Sequence, residues 1–452
     1  MHRLSPLGGP LAGRVDEMDI LRRAWADAVG GERRMVLLAG EAGVGKTRLA
    51  AELADEVDGT GAVVLVGACP VGGAEPYHPF SEALGPLPTG LRDREALLDT
   101  LVDVVATRAR RTPVLLVLDD LHRADRSTLL AVRRLVEVVV DMPLLVVGTY
   151  RDGSVDRSHP IAEFLSAVLG RPEVERINVE GLEPEGVAEM VGDPELGLRL
   201  WRRSAGNPVT VSELLRPGAL DRPLPSTFEE LVARRVAALS PRARTFVEAA
   251  AVAGPEFRVG VVADAAGMSG DRAGAVLREL AANGFVVEEP GGSNDTRRFV
   301  HDMVRESVKR GVDASERVQL HREIGRALAA LDDVPAALVA WHFRAAAPVG
   351  GSARALRHSA RAGQRARELL AWDEAAVHFG HALAAAREAT PQDRADRLMS
   401  LGEAQRLACE GARARQAFLE AAALASACSD GARMAGAALA LGHITAVWGD
   451  DR

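Results

Sequence analysis

The chain has 452 residues, 47% of them apolar and 26% charged, which is globular material for three or four domains. A formal charge of −8 excludes a general pull toward nucleic acid or anionic membrane and leaves only a local basic patch able to supply one. No apolar run reaches membrane-spanning length, and the opening MHRLSPLGGP lacks a signal-peptide core. Cys69, Cys409 and Cys428 are too few, and odd in number, for a disulfide framework. The expectation is a reduced, cytoplasmic protein whose cysteines are small buried hydrophobes.

Past an N-terminal tail over 1–12, the first chemical signal is GEAGVGKT at 40–47. The run before it, MVLLAG from Met35, is short and apolar like a buried strand. The run after it spaces Leu49, Leu53 and Val57 as a helix does. Strand, glycine-rich turn and helix are the context of a phosphate-binding P-loop. Gly40, Gly43 and Gly45 let backbone N–H groups turn onto phosphates, the helix start adds its positive end, and the Thr47 hydroxyl can hold Mg²⁺. Of 55 basic residues only Lys46 and Lys309 are lysine, leaving 53 arginines, yet lysine stands where the loop needs it. A compact ammonium reaches the β- and γ-phosphates inside the turn, whereas a planar guanidinium has the wrong shape.

AVVLVGAC at 62–69 gives a second strand, and PVLLVLDDLHRAD at 113–125 runs five apolar residues into paired aspartates. Such a run is a strand buried on both faces of a parallel sheet. Asp119 at its end would orient Mg²⁺ through water, and Asp120 could position the attacking water. A helix over 127–139 follows, then LLVVGTYRD at 144–152, whose polar tip Thr149-Tyr150-Arg151 would sit beside the phosphates. Arg151 is the candidate γ-phosphate sensor; a surface arginine after a strand is the alternative. With ERINVEG at 175–181, five strands alternate with helices, predicting a P-loop NTPase three-layer α/β/α core over 13–181.

Residues 223–254 read as two helices broken by Ser240-Pro241, and VGVVADAAG and DRAGAVLRELAANGF as two more, ending at Gly284. FVVEEPGGSNDTRRFVHD at 285–302 reads as a hairpin with a PGGSND turn. Helices followed by a hairpin predict a winged helix over 223–312. Residues 225–312 carry 12 basic and 12 acidic side chains with no basic cluster on the expected recognition helix 271–283, so DNA reading is not expected of it.

The remainder, 313–452, is helical. Gly363, Ala375, Phe379 and Ala382 recur 39 residues later as Gly402, Ala414, Phe418 and Ala421. Small residues at helix crossings with one aromatic knob per pair predict tetratricopeptide-like hairpin repeats. A third repeat, MAGAALALGHITAVWGDD, stops after one helix without a cap, so the chain is expected to be a fragment of a longer protein or to pair that face with something else.

These motifs together resemble the STAND class of P-loop ATPases, specifically the large ATP-binding LuxR-type transcriptional regulators of actinobacteria. LAGRVDEMDIL at 11–21 resembles the family's leading Gly-Arg motif, which implies that Arg14 lies near the adenine. GEAGVGKTRL resembles the family P-loop, implying nucleotide contacts from Gly40, Glu41, Ala42, Gly43, Val44, Gly45, Lys46, Thr47 and Arg48. PYHPFSEAL at 76–84 and LLVLDDLHRAD also match, although the family commonly has Trp where this chain has Arg123, a departure that bears on packing above the site. RSAGNPVTVSELL at 203–215 resembles the lid motif of a helical lid over 182–222, with Asn207-Pro208 facing the nucleotide. FVHD resembles the family's histidine motif, which implies an ADP-phosphate contact from His301; a core histidine capping the next helix is the alternative.

The resemblance implies an ATP/ADP switch with Mg²⁺ and slow hydrolysis, an inducer on the repeats, nucleotide-dependent homo-oligomers, and DNA contact only through a helix-turn-helix beyond residue 452. The residues alone also admit an effector-independent working ATPase, or a repeat scaffold with a structural nucleotide.

Overall fold

The computed structural model describes residues 11–138, 142–154, 159–216, 227–288, 295–350, 352–386 and 389–448. The tail up to residue 10, the start of the 223–254 helical segment, residues 289–294 of the expected hairpin turn and the last four residues of the chain lie outside them.

The first half alternates strand and helix. In order come α1 (Val15–Val29), β1 (Arg34–Gly40), α2 (Lys46–Asp58), β2 (Val63–Ala68), α3 (His78–Leu84), α4 (Arg94–Ala109), β3 (Val114–Asp119), α5 (Arg126–Val138), β4 (Leu144–Arg151), α6 (Pro160–Val168) and β5 (Val174–Asn178). The strands lie in the order β2-β3-β4-β1-β5, and every pair is parallel. Alternate side chains of one strand feed two cores, because successive residues point to opposite faces. Val36, Leu38, Leu115 and Val117 pack under α1 and α2, while Leu37, Leu116 and Leu118 pack under the helices of the other face. Burial on both faces is why β1, β3 and β4 read as unbroken apolar runs. The register sets Gly40 opposite Arg151, so the β4 tip lies beside the first P-loop glycine.

Three short helices follow, α7 (Pro184–Val191), α8 (Pro194–Ser204) and α9 (Pro208–Leu214). Proline opens each one, and Asp193 and Asn207 cap α8 and α9 through their side chains. Next come α10 (Phe228–Ala238), α11 (Pro241–Ala253), β6 (Glu256–Arg258), α12 (Val259–Ala265), α13 (Gly270–Ala282), β7 (Val286–Glu288), β8 (Thr296–Phe299) and α14 (Asp302–Gly311). The sequence predicts β7 and β8 as an antiparallel pair, and the structure adds β6 on the other edge of β8. Three residues are too short for an alternation to show; β6 holds because Phe257 packs edge-to-face on Phe246 and Phe299.

The last part is α15 (Ala314–Ala329), α16 (Ala336–Ala345), α17 (Ser352–Glu368), α18 (Trp372–Ala385), α19 (Pro391–Leu407), α20 (Gly411–Ala427) and α21 (Gly431–Trp448). A Cβ on Gly363 would come 2.7 Å from the Phe379 ring, and one on Gly402 would come 2.5 Å from Phe418. The same glycine-under-phenylalanine crossing thus joins α17 to α18 and α19 to α20. The first of these pairs is also part of the α/β unit: Ala375, Ala376 and Phe379 share one hydrophobic cluster with Leu129, Leu135 and Phe164. Arg94 pairs with Asp373 at 2.8 Å across that seam.

All three cysteines are free, but only Cys69 is buried. Cys409 is exposed, which corrects the expectation of three buried thiols; it stands in the α19–α20 turn with φ 63°. No described helix is long and apolar enough to cross a membrane.

Because Phe418 is fully buried against Ala414 and Ile444 in a satellite cluster apart from the sheet, Phe418→Ala should remove about 3–5 kcal/mol locally. Hydrogen exchange should quicken in α19–α21 and leave β1, β3 and β4 protected; equal loss of protection in the sheet would contradict this placement.

Candidate nucleotide site

The P-loop leaves β1 at Gly40 and enters α2 at Lys46, with Gly45 as a left-handed N-cap. Four of its carbonyls are held by side chains. The Lys46 ammonium donates to Gly40 O at 2.9 Å and Glu41 O at 2.6 Å, the Asn207 amide to Ala42 O at 2.8 Å, and the Arg14 guanidinium to Val44 O at 2.8 Å. Gly43 has to be glycine on two counts. Its φ is 81°, and a Cβ there would come 2.3 Å from Met303 Sδ and 2.9 Å from Asn207 Oδ1.

Lys46 is 7% exposed, and its pKa is pushed down to about 8. Burial is the main cause and Arg151 adds to it, against the attraction of Asp120 and Asp119. A buried cation resting on carbonyls is a receptor for an anion that would restore its charge.

The β3 and β4 tips supply the acid side. The Thr47 hydroxyl donates to Asp119 Oδ1 at 2.9 Å, and the Thr149 hydroxyl donates to the same oxygen at 2.6 Å. Burial first, and Asp120 second, push the Asp119 carboxyl up, while those two hydroxyls pull it back. A threonine hydroxyl beside a strand-end carboxylate is the hard-oxygen donor pair that suits Mg²⁺ bound mainly through water. The residues therefore fit that ion, which Thr47 would ligate directly and Asp119 would hold through a water.

Asp120 stands at φ 58°, its N–H donating to Thr149 Oγ1 at 2.9 Å. Its carboxylate is engaged by Arg123 at 2.8 Å. Strand alternation explains the β4 tip: Thr149 and Arg151 share the site face, while Tyr150 turns into the opposite core. Arg151 is therefore beside the P-loop, and its guanidinium donates to Asp302 Oδ2 at 2.7 Å. Arg123 reaches the same oxygen at 2.6 Å, and Arg305 takes Asp302 Oδ1 at 2.7 Å. Burial alone would raise the Asp302 carboxyl, but Arg305 and Arg123 outweigh it and hold it well below the usual carboxylate range. Arg123, where the sequence departs from the resembled pattern, thus bridges the core to α14 electrostatically.

Other residues named from the sequence have protein partners of their own. Arg14 is 5% exposed and also donates to Glu180 O at 2.6 Å and to Glu17 at 2.6 Å, so it clasps the P-loop to the exit of β5. Arg48 is paired with Glu52 one turn along α2 at 3.1 Å. Pro208 opens α9, while its neighbour Asn207 both caps that helix and touches the loop. His301 is the N-cap residue of α14, but its side chain makes no cap hydrogen bond. Burial first, then Arg216, Arg298 and Arg235, push its pKa down to about 4, so it is neutral. The residues of α14 that reach the site are its first two, Asp302 and Met303. Sequence reasoning placed Thr149 beside the phosphates but missed Asp302 and Met303; the quoted FVHD contained Asp302, but only tertiary placement reveals what it touches.

Residues 10–147 match the family model described as AAA ATPase domain. A curated relative, an uncharacterized protein of Rhizobium meliloti, is 23% identical over 395 residues, covering 70% of this chain and 37% of its own length. The chain thus spans little more than a third of that relative. A crystal structure of a Signal Transduction ATPase with Numerous Domains (STAND) protein with a tetratricopeptide repeat sensor, from Pyrococcus horikoshii, superposes with a TM-score of 0.54 at 16% identity, covering 100% of this chain and 70% of that one. Cdc6p from Pyrobaculum aerophilum reaches a TM-score of 0.33 at 16% identity over 72% of this chain and 97% of its own.

If the lowered Lys46 pKa reports an anion receptor, ADP affinity measured without metal should fall as pH rises through about 8. The free site loses its proton there, whereas bound phosphate holds it on, so the slope approaches tenfold per pH unit. A dissociation constant flat across that range would contradict the assignment. Residues 10–147 are thus similar to the AAA ATPase domain family, in a chain whose fold is similar to that of the STAND protein with a tetratricopeptide repeat sensor.

Proposed function

We propose that the chain is an ATP/ADP-binding regulatory switch with slow hydrolysis, the sensor and ATPase part of a LuxR-type transcriptional regulator. The observation that carries this reading is the Asp302 bridge: one carboxylate of α14 occupies Arg151 and Arg123, the cations a γ-phosphate would need. With Arg123 also on Asp120, the water-positioning acid is engaged, and turnover in this arrangement is slow.

In this reading the core spans 13–181, the lid 182–222, a winged helix 223–312 and tetratricopeptide-like repeats 313–452. Gly40 to Thr47 hold the phosphates, with Lys46 moving from loop carbonyls to the β- and γ-oxygens. Mg²⁺ supplies charge neutralisation between those phosphates when bound. Asp119 and Thr47 orient it, and Asp120 positions water once Arg123 lets go. A γ-phosphate competes with Asp302 for Arg151, and the α10–α14 module separates when it wins. Each state is then favoured by its own contacts, as a switch requires.

The arginines of that module argue against its reading DNA. Arg234, Arg258, Arg297 and Arg310 are ion-paired with acids, which offsets the charge they could offer to phosphates. DNA contact is assigned to a domain outside this sequence, the inducer to the helical repeats, and the ATP-bound form to a homo-oligomer. Three free cysteines accord with a reducing, cytoplasmic setting.

Asp302→Asn keeps the shape and removes the charge, so ADP should leave at least about tenfold faster, a change of about 1.4 kcal/mol, and the ATP-bound oligomer should form without inducer. Stopped-flow release of fluorescent ADP and light scattering read the two effects. Unchanged release and unchanged mass in a folded variant would remove the switch reading.

A further inference from the structure

A cavity of about 300 Å³ lies on the seam between the α/β unit and the first repeat pair. Its walls are the loop after β2, from Cys69 to Ala74, the Arg123–Asp125 segment, and Glu374 and His378 of α18. The size is at the lower end for small-molecule sites.

The polar groups of this cavity are oddly balanced. Asp125 accepts Thr128 N–H at 2.7 Å and the Thr128 hydroxyl at 2.6 Å. Glu374 accepts the Ser127 N–H at 3.2 Å and the Ser127 hydroxyl. Two carboxyls from two parts of the chain therefore converge on the start of α5. Among the described residues no ion pair reaches either: Arg94 and Arg126 go to Asp373, and Arg123 to Asp120 and Asp302. Burial first, then Asp125, pushes the Glu374 carboxyl up to about 8, and burial raises Asp125 as well. Opposite them, His378 Nδ1 is buried without a hydrogen-bond partner, and the Cys69 thiol is free at 3% exposure. No group of side chains with metal-holding geometry is present among the described residues.

We propose that this cavity binds a small organic ammonium, an aliphatic diamine or amino alcohol, whose cation lies between Asp125 and Glu374 and whose polar tail meets His378. An ammonium brings the charge these two acids lack and allows both to ionise. A neutral polyol of equal size would offer hydrogen bonds but leave the acids unbalanced. The bound cation would stand beside Arg123, one of the three guanidiniums on Asp302. A role as inducer therefore rests on the switch reading above, whereas binding itself does not.

Calorimetric titration of putrescine into the full chain, with and without ADP, tests the site. Saturable one-to-one binding is expected, weakened at least about tenfold in Glu374→Gln and in Asp125→Asn. It should be retained in Asp396→Asn, a surface acid paired with Arg433, and butanediol should give no saturable heat. No saturation up to about 10 mM overturns the site, as does equal affinity in Glu374→Gln and wild type, which would mean adsorption to the acidic surface. Intact, Glu374-dependent binding with unchanged ADP release supports the site and counts against the switch reading alone.

Discussion

The Asp302 carboxylate holds the resting arrangement together. It begins α14, yet its three partners come from three places: Arg123 after β3, Arg151 at the end of β4, and Arg305 one turn on. Arg305 is 1% exposed and also donates to Ala251 O at 3.2 Å, so the bridge is anchored in the interior of its own module. Charge-assisted hydrogen bonds of this kind contribute about 1.5–3 kcal/mol each, and removing one partner leaves buried charge behind. In the proposed switch such a bridge would set the conformation and yield to a better anion. A terminal phosphate, with more charge and more acceptor oxygens than a carboxylate, would be that anion.

The neighbouring contacts follow from the same geometry. Met303, next in α14, sits over Gly43, and Asn207 of the short-helix segment holds Ala42, so two further parts of the chain bear on the phosphate turn. Arg14 secures the turn from behind. The P-loop is thereby contacted by side chains from three other parts of the chain. On the far side the repeat helices share a hydrophobic core with the sheet through Ala375 and Phe379, which gives anything bound at that seam a rigid route to Arg123.

Much of this was readable in the residues. Buried parallel strands carry no amphipathic signal, but they announce themselves as apolar runs ending in functional residues, as VLLVLD does at Asp119. The proline after Ser240 marked a helix start because a missing N–H costs nothing there. The glycine and phenylalanine repeat was visible because close helix crossings demand both. What was hidden depends on distant partners. Arg14 and Pro208 stand in motifs that suggest a ligand, and nothing local shows that Arg14 also grips backbone or that Pro208 also opens a helix. Asp302 sat one residue from the suspected His301, and nothing local could tell which of the two faces the core. The three-residue strand β6 and the acid pair at the seam likewise exist only once the chain has closed on itself.

The proposed switch requires that the resting protein hold a nucleoside diphosphate. Denaturing the purified chain and identifying and counting what it releases is the most direct measurement. The Asp302 bridge predicts close to one ADP per chain, slow to exchange before denaturation. Protein that comes away free of nucleotide and turns over added ATP steadily without an effector would contradict it, and the chain would then be a working ATPase.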